Sequence, residues 1–204
     1  MKAFMRFEKN INRSVDLCQL YVDLHKADSK FKKHRADVLR SAIVFAVAAM
    51  DAYFTDRYCQ TLVPFLKKHG SNHRLDDRLQ NAGLNVRQSL EMAVMKRPYR
   101  RVTTLMEKHL DRYTAQSTKD INRLYLDFGV EKLLGNVESG LGRKNLVRRV
   151  EILVERRHKI VHAGDLNARN TPNAIDAVKS FERIRELNTL VRGADDFLDK
   201  KLRV

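Results

Sequence analysis

An all-α fold, a compact helical bundle with a basic helical insertion near its middle, is what the sequence predicts, and three features predict it. Hydrophobic residues make up 43% of the chain, and only three prolines and eight glycines interrupt its 204 residues. Apolar residues also recur at three-to-four-residue spacing over long segments, the period of a helical face. The length suits one domain, 1–204, in which folding hides about 70% of the unfolded surface.

The elements follow in order. Residues 4–27 space Phe7, Ile11, Val15, Cys18, Tyr21 and Val22 along one face, so an amphipathic helix is expected there. Residues 34–68 form the expected central helix, because 42–50 is apolar on every side and needs neighbours all round. Pro64 lies in its last third, so a kink or break near Val63 is expected. Gly70, Ser71 and Asn72 read as a loop that opens the basic insertion, about 70–115. Within and after it, short helices are expected at 76–80, 85–95, 99–112 and 118–128, the last stopped by Gly129. Three glycines make 133–142 an expected loop, and a long helix follows at 143–162. The final helix is expected to be capped by Thr171, with Pro172 in its first position and Gly193 as a weak point, and to end at 202.

Forty Lys and Arg against 25 Asp and Glu give a net charge of +15, which favours polyanionic partners, nucleic acid first. Cys18 and Cys59 are too few for a disulfide framework, which fits a reducing compartment. The first ten residues carry charges throughout, unlike a secretory leader, and the run 42–50 is far short of the roughly 20 apolar residues that cross a bilayer. A cytoplasmic protein without a membrane partner is expected.

Two charges are out of place. On a helix of about 100° per residue, Arg157 falls among Leu146, Val150, Leu153, Val154, Ile160 and Val161, where a core residue belongs. Arg156 lies on the polar side. Asp51 follows the apolar run 42–50 and precedes Ala52, Tyr53 and Phe54. A buried charge without acceptors is costly, so Asp51 and Arg157 are expected to pair across two helices, either as a structural ion pair or as part of a site.

The stretch Val154-Glu155-Arg156-Arg157-His158-Lys159-Ile160-Val161-His162-Ala163-Gly164-Asp165 resembles the signature of the HEPN superfamily, in which an Arg followed by a polar residue precedes a His. Its flanks look like the RiboL-PSP-HEPN group. The resemblance runs over about 36–202 and is sharpest at 153–165. It implies an all-helical, metal-independent ribonuclease without a cofactor: His162 acts on the ribose 2′-hydroxyl or the leaving oxygen, Arg157 stabilises phosphate charge, and His158 orients one of them. The chemistry is coherent on its own terms, because RNA carries its own nucleophile and needs only a proton carrier near neutrality and a fixed cation. A toxin or defence effector, with RNA as substrate and an antitoxin or inhibitory protein as partner, is the implied setting. The rival is a non-catalytic module that binds RNA, nucleotide or protein, and a third reading is a helical scaffold with a basic surface. Ala163 follows His162, so the tyrosine that follows the histidine in one toxin group is absent.

Within an ideal helix Arg157 and His162 stand about 140° apart. Either the helix loosens at His162, or two subunits of a symmetric dimer share the site, and the homodimer is the preferred expectation. His158 and His162, four apart, with Asp165 could instead hold zinc, although the His-Glu-x-x-His pattern is missing. For RNA contact the candidates are Lys96, Arg97, Arg100 and Arg101 around Tyr99, and Arg143, Lys144, Arg148 and Arg149 on the motif helix.

Overall fold

The computed structural model describes residues 2–26, 34–111 and 117–202. Among them are nine α-helices and a single isolated β-bridge, Leu166 to Pro172, so the all-α expectation holds. The helices are α1 (Ala3–Lys26), α2 (Arg35–His69), α3 (His73–Asn81), α4 (Val86–Ala93), α5 (Pro98–Leu110), α6 (Thr118–Tyr125), α7 (Leu133–Gly140), α8 (Leu146–Ala163) and α9 (Ala177–Leu202). A 3₁₀ turn, Leu126–Phe128, extends α6, and Gly129 ends it with φ of 70°. The expected helix ends at Ala27 and Arg112 lie outside the described residues.

Helix α2 is the axis. Its apolar residues face every direction, and α1, α5, α8 and α9 all pack on it. Ser14 donates to the Ala42 carbonyl at 2.7 Å and Arg6 pairs with Asp56, so α1 runs antiparallel to α2. Tyr53 donates to Asp195 at 2.7 Å and Arg57 bonds Asp199, so α9 runs parallel to it. By length and composition α2 could cross a membrane, but 56% of its apolar window is buried in the bundle. The helix is covered by its own chain.

The centre is aromatic. Tyr53, Phe54, Tyr125, Tyr58 and Phe128 form a chain of neighbouring rings, and burial forces each tyrosine hydroxyl to find an acceptor. Tyr53 uses Asp195, Tyr58 uses Asp127 at 2.7 Å, and Tyr125 uses the Phe54 carbonyl at 3.0 Å. Buried Asp127 is also held by Arg78, and its carbonyl accepts from Asn72, which joins α3 to the end of α6. Burial raises the Asp195 carboxyl above the ordinary aspartate range, and the Tyr53 hydrogen bond opposes that shift.

Five expectations need correction. Helix α2 does not break at Pro64, because the proline lies on the exposed side while Leu62 and Phe65 stay in the core. Residues 133–142 are largely helical, since Leu133, Leu134 and Val137 bury one face and outweigh the glycines. Helix α9 begins at Ala177 instead of Pro172: Pro172 is held in the bridge with Leu166, and Asp176 is the actual cap, accepting from the Lys179 N–H at 3.1 Å. Helix α8 starts at Leu146, after Asn145 with φ of 64°, so Arg143 and Lys144 sit in the preceding turn.

Gly193 is a point of close packing, not of weakness. A Cβ there would meet Val137 Cγ1 and Leu141 Cδ1 at 2.9 Å, so the glycine lets α9 approach α7. Elsewhere in a helix Gly→Ala would stabilise by about 0.5–1 kcal/mol. Here overpacking dominates, and Gly193→Ala should destabilise the protein by about 1–3 kcal/mol, read as a lower melting temperature in calorimetry.

Candidate active site

Helix α8 carries the site, and its C-terminal end is fixed first. Gly164 and Asp165 both adopt left-handed backbone conformations, φ of 58°, and the Asp165 N–H returns to the Lys159 carbonyl at 3.0 Å, which stops the helix. The Asp165 side chain, fully buried, accepts from Arg40 Nε at 2.9 Å and from an Arg156 guanidinium nitrogen at 2.6 Å. Asn173 completes the cage, giving its backbone N–H and side-chain amide to the Asp165 carbonyl, each at 2.8 Å. Arg40 donates further to the Asn173 carbonyl at 2.7 Å and Arg156 to the Ala174 carbonyl at 3.0 Å. Arg156 is therefore no ordinary polar-side residue. The first turns of α2, the end of α8 and the segment leading into α9 meet in one charged knot, with α8 antiparallel to α2.

One residue on, Arg157 points elsewhere. With Val154, Glu155, His158 and Lys159 of α8, and Ser117 and Asp120 at the start of α6, it lines a cleft of about 520 Å³. Ser117 and Asp120 are set by a cap: the Ser117 hydroxyl accepts the Asp120 N–H at 3.0 Å and donates to the Asp120 carboxylate at 2.5 Å. The His158 and His162 rings are in tilted contact, centroids 4.3 Å apart and planes at 44°, so His162 adjoins the cleft through His158. Both histidines are exposed and Arg157 is half-buried. Helix α8 remains helical through His162 to Ala163, so the helix does not loosen there, and Arg157 and His162 of one chain lie on different sides of it.

Asp51 is half-buried on α2, about three turns beyond Arg40 on the same face. Helix α2 also packs on α8 along part of its length. Asp165, the third ligand that the zinc alternative requires, is enclosed by the two arginines, and among the described residues no group of three His, Cys, Asp or Glu side chains is placed to hold a metal. The thiols make poor nucleophiles at neutral pH: burial pushes Cys18 up to about 11 and Cys59 up to about 12.

The two basic clusters differ. Arg148 is paired with Glu151 and Glu155, which raise its pKa, and Arg149 is paired with Glu186 at 2.7 Å. Arg101 is paired with Glu91, whereas Lys96, Arg97 and Arg100 are exposed around the start of α5. Tyr99 sits under the Lys67 ammonium, 5.2 Å from the ring centre. Residues 143 and 144 are exposed in the turn before α8. Sequence reasoning missed Ser117, Asp120 and Lys159, although the Ser-x-x-Asp pattern ahead of Ile121 is a capping signal. It also missed Arg40, which is as misplaced between Leu39 and Ala42 as Arg157 is in α8.

The family model described as RiboL-PSP-HEPN matches residues 9–200, and the chain belongs to this family. No curated protein and no solved structure matches it significantly.

The charged knot gives a test of its own. Asp165→Asn keeps a residue that tolerates the left-handed backbone but removes the buried charge between the two arginines, leaving Arg40 with the exposed Asp37 at 3.0 Å and the Asn173 carbonyl, and should cost about 1–3 kcal/mol in urea denaturation. Arg156→Gln, at a more exposed side chain with carbonyls as further partners, should cost less.

Proposed function

We propose that this HEPN module is a metal-independent endoribonuclease in which His162 moves a proton at the ribose 2′-hydroxyl or at the leaving oxygen and Arg157 offsets the charge growing on the phosphate. The observation that carries the reading is the cleft itself: Arg157 and His158 line it, and His162 adjoins it through contact with the His158 ring. A fixed guanidinium at a partly dry wall and an exposed imidazole are the two groups that cleavage by RNA's own nucleophile requires. His158 orients the phosphate or Arg157. Asp51 belongs to the same proposal as the carboxylate that steadies Arg157 across α2 and α8. The exposed Lys96, Arg97 and Arg100, with Arg143 and Lys144, supply phosphate contact, and Arg101, Arg148 and Arg149 act there only by leaving their carboxylate partners. A toxin or defence role, held in check by an antitoxin or other inhibitory protein, follows from a free intracellular ribonuclease being harmful to its host.

Since α8 stays helical, a site using both residues is completed by symmetry. Val161 belongs to the apolar face of α8 yet is 49% exposed at the end of the helix, and Leu166 beside it is 45% exposed. A two-fold partner covering these residues brings two copies of Arg157 and His162 into one cleft. Light scattering should therefore give a dimer, and Val161→Glu should produce a folded monomer without nuclease activity. A wild-type monomer at concentrations where RNA is cleaved would end the shared-site mechanism.

The central test is cleavage of total RNA in chelator. His162→Ala should lose about 10²- to 10⁴-fold, and Arg157→Ala should lose activity comparably with a melting curve recorded beside it. Products should end in 2′,3′-cyclic phosphate, and a 2′-deoxy substitution at the cleaved position should block the reaction. If His162→Ala cleaves as fast as wild type, or zinc restores an activity that chelator removed, the mechanism is wrong. Retained RNA binding without cleavage by wild type identifies the non-catalytic module instead.

A further inference from the structure

Helix α4 presents an apolar stripe that its own chain leaves uncovered. Val86, Leu90 and Val94 recur every fourth residue, one face of a helix, and are 78%, 68% and 88% exposed. No residue of α4 is buried, and α5 is the neighbour on which it packs. The opposite side of α4 is occupied: Met92 rests against the core, and Glu91 bonds Arg87 and Arg101, each at 3.2 Å. Beside the stripe, Leu79, Leu84, Val86 and Leu90 line a groove of about 670 Å³ between α3 and α4. Single exposed aliphatic residues need no explanation, but three in register beside an apolar groove mark an interaction surface.

The charges say what fits. Directly after Val94 the chain places Lys96, Arg97 and Arg100, all exposed and without an ion pair among the described residues. A second copy of this chain, itself at +15, would set those cations against like charge. RNA would answer the cations but leave the aliphatic stripe facing sugar and phosphate. An acidic helix with one apolar side answers both.

We propose that α4 and the groove beside it form a docking surface for an acidic amphipathic helix of a protein partner, with Val86, Leu90 and Val94 taking its apolar side and Lys96, Arg97 and Arg100 its carboxylates. The surface is defined independently of the nuclease reading. Where Lys96, Arg97 and Arg100 also hold RNA, the two ligands exclude one another, so a partner of this kind is a competitor for RNA.

The probe is a labelled synthetic peptide of about five helical turns, leucine along one face and glutamate elsewhere, titrated with the full chain by fluorescence anisotropy. Two control peptides replace glutamate by lysine or leucine by serine. Wild type should bind the acidic amphipathic peptide at least about tenfold more tightly than either control, and Leu90→Asp and the pair Arg97→Glu with Arg100→Glu should each weaken it about tenfold or more. Because Leu90 itself is 68% exposed, Leu90→Asp should melt like wild type, and its RNA cleavage measured without peptide should be unchanged. Binding that survives Leu90→Asp, or that the serine peptide matches, would reduce the effect to charge attraction and overturn the proposal. So would a wild-type oligomer that Leu90→Asp dissociates, which assigns the stripe to a second copy, or loss of RNA binding with Leu90→Asp, which assigns it to nucleic acid.

Discussion

The structure depends on a buried carboxylate between two arginines. Asp165 takes Arg40 from the start of α2 and Arg156 from the end of α8, and Asn173 closes the cage from the segment that leads into α9. Packing alone lets helices of a bundle slide or rotate, because apolar contacts are non-directional. Directional, charge-assisted hydrogen bonds do not. With α8 pinned at its last turn, Arg157, one residue beyond Arg156 and about 100° further round, is turned toward α6, and the histidine pair is carried to the edge of the bundle.

The same neighbourhood shows how two consecutive arginines come to differ. Arg156 is spent on Asp165 and on backbone carbonyls, and its task is to hold the helix. Arg157 shares its cleft with Ser117, Asp120 and His158. Periodicity singled out the second because it interrupts an apolar face. The first was invisible to that logic, since its acceptor lies nine residues on in a connector and its other acceptors are main-chain oxygens that leave no mark in a sequence.

Most of the helices were legible from spacing, and the errors have physical causes. Glycine count misled at 133–142, where a short buried face was enough to make α7, and at Gly193, where the lack of a side chain is what permits contact. Pro64 does not break α2 because burial of Leu62 and Phe65 on the opposite side holds the helix together across it. Thr171-Pro172 has the composition of a helix start, but the cage around Asp165 holds this segment extended until Asp176. The contact between the two histidine rings was implicit in the spacing of His158 and His162. The cleft wall formed by Ser117 and Asp120 was not, because sequence-distant surfaces meet only through the packing of α6.

The distribution of ion pairs also sets how the protein responds to ionic strength. A charge of +15 suggests a strong, uniform attraction for polyanions. Yet Arg6, Arg40, Arg57, Arg78, Arg148, Arg149, Arg156 and Arg192 are matched with carboxylates of the same chain, so a phosphate approaching them must displace a neighbour as well as a counterion. Each phosphate neutralised on a single strand contributes a slope of about −0.7 to the logarithmic salt dependence of binding. Even with every acidic residue paired, fifteen cations remain unmatched, so the slope measures how many exposed cations, those at 96–100 and 143–144 among them, one bound strand reaches at once, and it separates a local grip from contact with the whole basic surface.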